Sequence, residues 1–392
     1  MKPLFPMLAA TTLARLVINS LRRAPYAIMT DLAAALGIPR QSLEYAMALQ
    51  WGMGLLAPFF GPLIDRSPRK HIMIAAAAGF TLLTGGGTLA TWLGGAVTVI
   101  LGVIVLVGVC KIIFDPAMQA YISDHTPQSR RGFAIGVTET AWSFSLVIFA
   151  PLAAYLITNA SVGALFAVIS ACGAAVTVLL WRLLPADAPP TRKTDAPRNN
   201  WGLLLSSRSA MMLLVAMACQ SMSGEIIVIG YEAWFKATFA LSVGALATLA
   251  IYISIAEFVG EFGVVGLADR VGRRRLGLVS LSACAVFCLI LPQLGASLPL
   301  ATAALVGMFI AFEMAIVAGI SLATDVLPEA RGTMMASLIG ALAGSRAVGT
   351  IIGGALLRAG GFAVNGVVST VLTIAAVLLI VGFVAEIRAP KH

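Results

Sequence analysis

Residues 61–70 read GPLIDRSPRK and residues 265–274 read VGLADRVGRR, so an Asp-Arg pair trailed by further basic residues occurs twice, with Asp65 and Asp269 separated by 204 positions. A second motif repeats at nearly the same spacing. DHTPQSRRG runs from Asp124 to Gly132 and DVLPEARG from Asp325 to Gly332, a separation of 201. Two different loop motifs recurring at one spacing point to a duplicated unit of about half the chain.

Working outward from these loops, the chain between them is almost wholly apolar. Of 392 residues 59% are hydrophobic and 11% charged, and mean hydropathy is +0.96, whereas a soluble domain carries about a quarter charged residues. A bilayer-spanning helix takes about 20 apolar residues. The apolar runs predict twelve spans near 5–32, 43–64, 71–92, 97–123, 132–157, 160–184, 209–236, 243–267, 275–297, 300–326, 332–357 and 363–385. The fold class expected is all-α integral membrane, twelve transmembrane helices in two pseudo-symmetric six-helix bundles. The polar stretch 185–208, rich in Pro and charge, is the predicted cytoplasmic linker between an N-terminal bundle, 1–184, and a C-terminal one, 209–392.

Charge placement sets the orientation. With a cytoplasmic N-terminus, 18 of the 26 Lys and Arg residues fall on the cytoplasmic side, so both termini are expected there, in a bacterial inner membrane. The formal charge of +9 comes from short clusters between apolar runs rather than a hydrophilic stripe, which argues against a nucleic-acid partner. The first apolar stretch is too long for a signal-peptide core and carries Arg15, Arg22 and Arg23, so it is expected to remain as the first span. Cys284 and Cys288 lie one helical turn apart with no further Cys or His to join them, a pattern of small-residue packing; no metal and no cofactor are expected. Walker, nucleophile-elbow and zinc spacings are lacking, so the chain is not read as an enzyme. Trp51, Trp92 and Trp234 fall near span ends, where interfacial anchors sit. On the eleventh span, Gly340 with Gly344 and Gly349 with Gly353 would permit close helix approach.

GPLIDRSPRK resembles the signature loop G-x-L-x-D-R-x-G-R-[RK] of the major facilitator superfamily, and D-x-x-P-x-x-x-R-G is similar to that family's connection from helix 4 to helix 5. Pro68 replaces the second Gly of the first copy, and Val265 stands where the second copy would have its first Gly. The resemblance implies parallel repeats that alternate access to a central site, and loops that latch on the cytoplasmic side. It assigns Asp65, Arg66, Arg69, Asp124 and Arg131 to one latch and Asp269, Arg270, Arg273, Asp325 and Arg331 to its counterpart. Fixing topology alone is the plainer alternative, although topology requires no repeated Asp.

Ionisable residues within spans cost at least about 2.5–3.5 kcal/mol each and are seldom idle. They are Arg15, Arg22, Arg23, Lys111, Asp115, Glu139, Glu225, Glu257, Glu261, Glu313 and Arg346, and spans 3, 6, 9 and 12 have none in their interiors. By resemblance those four spans face lipid, while 1, 4, 7 and 10 line the cavity. Arg15, Asn19 and Arg22 share one helical face, suited either to an anionic or hydrogen-bonding solute or to neutralising acids on spans 5, 7 or 8. Lys111 and Asp115, at i and i+4, could contact solute or simply pair. The substrate cavity is thus expected to draw on Arg15, Asn19, Arg22, Lys111, Asp115, Glu225, Glu313 and Arg346. Glu257 and Glu261, one turn apart, would oppose simultaneous ionisation. With Glu139, Glu225 and Glu313 they form the proton-coupling candidates, the alternative for each being a static pair with Arg346 or an arginine of the first span.

The expected partners are a small organic solute, protons and membrane lipid, with the protein a monomer. By resemblance to the bacterial drug and metabolite exporters the function expected is proton-coupled efflux. The fifth span, GVTETAWSFSLVIFAPLAAYL over 136–156, departs from the Gly- and Pro-rich motif usual in such exporters. Uptake of an organic anion, resting on Arg15 and Arg22, is the second reading, and a lipid flippase or a sensor on the same fold a third.

Overall fold

The computed structural model describes residues 4–57, 59–60, 63, 67–95, 97–187 and 201–384, with the backbone alone at 128, 129, 131, 132, 265, 266, 268 and 269. Every regular element among the described residues is helical: α1 (Leu4–Ala27), α2 (Met29–Leu36), α3 (Arg40–Gly52), α4 (Arg69–Trp92), α5 (Val97–His125), α6 (Gln128–Asn159), α7 (Val162–Leu183), α8 (Trp201–Ser206), α9 (Arg208–Phe239), α10 (Val243–Val271), α11 (Arg273–Ile290), α12 (Leu298–Val326) and α13 (Arg331–Phe383). Ten of the described helices are long and apolar enough to cross a membrane. α13 is two spans joined end to end, and α3 with the 3-10 turn Met53–Leu56 begins one more, giving the twelve-helix arrangement. Within the expected linker, Trp201–Ser206 forms a short helix, and 188–200 lie outside the described residues.

The chain divides into two compact units, residues 1–193 with 241–254 and residues 194–240 with 255–392. In the first, α1 packs on α6 and α7, α4 on α5 and α7, and α3 on α5. The first span was expected to be continuous over 5–32 but breaks at Ile28, whose φ of −137° and ψ of 23° leave the helical region. Just before the break, Pro25 has no N–H to bond the carbonyl of Leu21, four residues back. Gln50, fully buried on α3, supplies the missing donor. Its Nε2 donates to Leu21 O at 3.3 Å and to Ile104 O of α5 at 2.5 Å, which uses both amide hydrogens. Gly108 makes the crossing possible, because a Cβ there would stand 2.9 Å from Gln50 O.

In the second unit α9 packs along α13, and α11 along α12 and α13. Gly349 and Gly353 do bring the helices close. A Cβ at Gly349 would lie 3.0 Å from Met222 O and one at Gly353 2.9 Å from Ile226 Cα, whereas Gly340 faces open space. A buried polar seam runs through the same contact. Ser223 Oγ donates to Ser369 O at 2.9 Å, Ser369 Oγ to Ser223 O at 2.9 Å, and Asn365 Nδ2 to both Ile226 O and Gly353 O. The loop expected between spans 11 and 12 shrinks to one residue: Gly361, at φ 73° and ψ −178°, a conformation essentially confined to glycine. Ser161 and Ser207 cap α7 and α9 by accepting from Ala164 N and Ala210 N.

Candidate functional site

Each unit carries a charged cluster of its own. In the first, Arg15 projects from the middle of α1 and is buried. Its Nη1 lies 2.7 Å from Glu139 Oε1 and donates to Thr138 O at 3.0 Å, while its Nε lies 3.4 Å from Asp115 Oδ1. Lys111 Nζ is 2.7 Å from Asp115 Oδ2 and donates to Asn19 Oδ1 at 2.6 Å. α1, α5 and α6 are thereby stitched by one chain of alternating charge, Glu139 to Arg15 to Asp115 to Lys111 to Asn19. This is the ion-pair arrangement the spacing left open for Arg15, Glu139, Lys111 and Asp115, and it satisfies charges that are costly to bury alone.

About two turns along α1 from Arg15 the cations change partners. The Arg22 guanidinium lies 3.7 Å from the centroid of the Trp51 ring and that of Arg23 4.2 Å from Trp142, with Lys111 Nζ 5.5 Å from the same ring. The two indoles are 6.4 Å apart, and Trp51 Nε1 donates to Tyr26 OH at 2.7 Å. Cation-π contacts of this kind are worth about 0.5–2 kcal/mol, more when desolvated. Trp51 is therefore a buried partner of Arg22 rather than an interfacial anchor; the expectation failed because position near a span end says nothing about which way the ring turns. Trp92, at the end of α4, is exposed as an anchor should be.

In the second unit Glu225 is buried at the middle of α9. Thr350 Oγ1 of α13 donates to Glu225 Oε1 at 3.0 Å, and Gly349 lets the helix in close enough, since a Cβ there would stand 3.0 Å from Glu225 Cβ. One turn earlier Arg346 Nε donates to Ser221 Oγ at 3.2 Å, with its guanidinium 5.9 Å from the Phe312 ring. Phe312 precedes the buried Glu313 on α12, and α10 closes on that point through Gly260, where a Cβ would be 2.8 Å from Glu313 Cβ. Glu257 is buried on the same helix and Glu261, one turn on, is half-buried.

The repeated loop motifs are paired within each unit. Arg69 forms an ion pair with Asp124 and donates to Ala120 O at 3.4 Å. At the equivalent position Arg273 Nη1 meets Asp325 Oδ2 at 2.6 Å, and Arg331 Nε donates to Thr324 O at 2.9 Å. Arg270 is exposed near the end of α10. Asp65 and Arg66 lie outside the described residues, as do the side chains of Arg131 and Asp269.

Several residues escaped the reading of the sequence. Glu232, fully buried on α9, sits seven residues beyond Glu225 on the same face and was legible by that spacing. Glu44, buried against Arg40 at 2.6 Å, fell at the edge of its predicted span. Trp142, Gln50 and Thr350 carry no charge and gave no signal.

Comparison with known proteins follows the same lines. A family model described as the Major Facilitator Superfamily matches residues 11–266 and 213–392. An uncharacterized MFS-type transporter, YqjV, of Bacillus subtilis (strain 168) is 30% identical over 122 residues, 31% of this chain and 28% of that protein, so the match spans under a third of the relative. A D-xylose-proton symporter superposes with a TM-score of 0.80 at 15% identity, covering 97% of this chain and 98% of that one. A bacterial homologue of the human lysosomal transporter Spinster, inward-facing and occupied, superposes with a TM-score of 0.74 at 17% identity over 98% of each chain. At such identities these superpositions speak for the fold alone.

Proposed function

The chain belongs to the Major Facilitator Superfamily, whose members are secondary transporters, and from that premise we propose that it exports a small organic solute in exchange for protons. The bundles 1–184 and 209–392 rock about the linker 185–208, exposing a central site to each side in turn. The ends bearing Arg69–Asp124 and Arg273–Asp325 face the cytoplasm, as the Lys and Arg distribution favours, and these pairs belong to the latch that opens with the inward-facing state. Each proton moving down a membrane potential of 100 mV supplies roughly 2.3 kcal/mol.

The observation that carries the proton reading is the seat of Glu225. Its carboxyl is buried in a span and receives a hydroxyl from Thr350. A hydroxyl can serve a carboxyl in both its charged and its neutral form, which a proton carrier requires. Glu313, Glu257 and Glu261 are further candidate carriers, and Glu139 pairs with Arg15.

The test is proton flux in liposomes of the purified protein with an internal pH dye, as organic cations and anions are added in turn. A solute-dependent flux that Glu225→Gln abolishes is expected. Solute-dependent flux that persists in Glu225→Gln removes Glu225 from the mechanism. The stacks of Arg22 on Trp51 and Arg23 on Trp142 favour a second reading, movement of an organic anion without protons; loss of anion equilibration in Arg22→Gln, with no proton flux in the wild type, would select it.

A further inference from the structure

Thr350 has one hydroxyl proton and two acceptors within reach. Its Oγ1 stands 2.9 Å from Arg346 O, one turn back on α13, and 3.0 Å from Glu225 Oε1 on α9. The first contact is the ordinary resting place of a threonine inside a helix. A single hydrogen can make one strong bond at a time, while the oxygen can also accept.

We propose that Thr350 is the positioning residue of Glu225, a hydroxyl rotor that turns as the carboxyl gains and loses its proton. When Glu225 is ionised, Thr350 points its hydrogen at Oε1, a charge-assisted bond stronger than a neutral one. When Glu225 takes up a proton from water on the open side, the new O–H donates to Thr350 Oγ1 and the threonine hydrogen swings back to Arg346 O. No proton passes between the two side chains; the proton on Glu225 arrives from water and returns to water. In both states the Thr350–Glu225 contact keeps a hydrogen bond, so a proton can come and go without that contact being lost.

Gly349 sets the reach. With any side chain there α13 would stand off from Glu225 and Met222, and the Thr350 oxygen would recede from the carboxyl. The charged groups on the two helices and on α12, which packs against both, include Arg346 on α13, Glu313 on α12, and Glu232 and Lys236 further along α9; Glu257 and Glu261 lie on α10, which meets Glu313 through Gly260. These set the background at which Glu225 titrates. Thr350 shifts it by bonding the charged form.

The inference rests on Glu225 as the proton carrier, and infrared titration of the purified protein separates the two claims. The band of the protonated Glu225 carboxyl, identified by its loss in Glu225→Gln, is followed against pH in the wild type, Thr350→Ser and Thr350→Val. The expected result is a wild-type band at the frequency of a hydrogen-bonded acid, an unchanged midpoint in Thr350→Ser, and a midpoint in Thr350→Val raised by about one unit, tenfold in proton affinity. A Thr350→Val midpoint equal to wild type overturns the rotor and leaves Glu225 as carrier. If Thr350→Val fails to fold, the wild-type band decides: the frequency of a carboxyl free of hydrogen bonds overturns the proposal. No titrating Glu225 band at all, with solute-dependent proton flux intact, overturns both claims.

Discussion

Arg69 meets Asp124 where α4 and α5 adjoin, and Arg273 meets Asp325 where α11 and α12 do, 204 and 201 residues later. Two to three turns deeper the units part company. The first locks Glu139, Arg15, Asp115 and Lys111 into one chain of ion pairs, whereas the second seats Glu225 against a threonine and a glycine. Duplication gave both halves the same exposed pair. The interiors differ: one holds a chain of ion pairs, and the other holds the carboxyl proposed above as the proton carrier. On the proposed reading the difference is between charge held to hold the helices and charge held so that it can change.

The widest gap between the two is expected at Arg15. Arg15→Met strips the counter-charge from Glu139 and leaves Asp115 with Lys111 alone, and breaking a buried pair from one side costs about 3–5 kcal/mol, towards the lower figure because Glu139 is partly exposed and Asp115 keeps a partner. Thermal unfolding in detergent should show a large loss, partly restored by adding Glu139→Gln. An Arg15→Met protein as stable as wild type would mean the network holds nothing.

Next in size is a backbone effect peculiar to the second unit. Gly361→Ala forces a side chain into a conformation that costs about 1–3 kcal/mol, and the same unfolding measurement should register it. If the variant melts with the wild type, the junction of the two spans in α13 relaxes freely and the second unit is the softer of the two.

Smallest, and equal in both units, should be loss of the exposed pairs. Arg69→Ala and Arg273→Ala are each expected to cost about 0–1 kcal/mol of stability, while both alter the balance of inward- and outward-open states as read by cysteine labelling from either side. A stability loss of several kcal/mol in one variant alone would show that the repeat no longer carries equal weight at its two ends.

Much of the fold was legible because the bilayer enforces it: apolar runs of span length and Asp-Arg loops at one spacing admit few other structures. The breaks were less legible. The structure interrupts the first predicted span at Ile28 and joins the last two through Gly361, because both junctions turn on the dihedral angles of single residues that an apolar window averages away. At the site, the spacing brought Lys111 to Asp115 and placed Arg15 among acids. It could not choose between solute contact and pairing, since that choice is made by Glu139 and Asn19 arriving from other helices. Thr350 was invisible for a simpler reason: a threonine in an apolar run looks like packing until the carboxyl it faces is known.

The amide of Gln50 has a consequence for how the protein is made. While the first span stands alone in the membrane, Pro25 leaves the Leu21 carbonyl without its helical donor, and an unsatisfied carbonyl in hydrocarbon costs several kcal/mol. The remedy is encoded 29 residues downstream, and the same amide also grips Ile104 on α5. The first helix is therefore complete only once α3 and α5 pack with it, and Gln50→Leu is expected to lower the yield of folded protein in the membrane before it lowers transport.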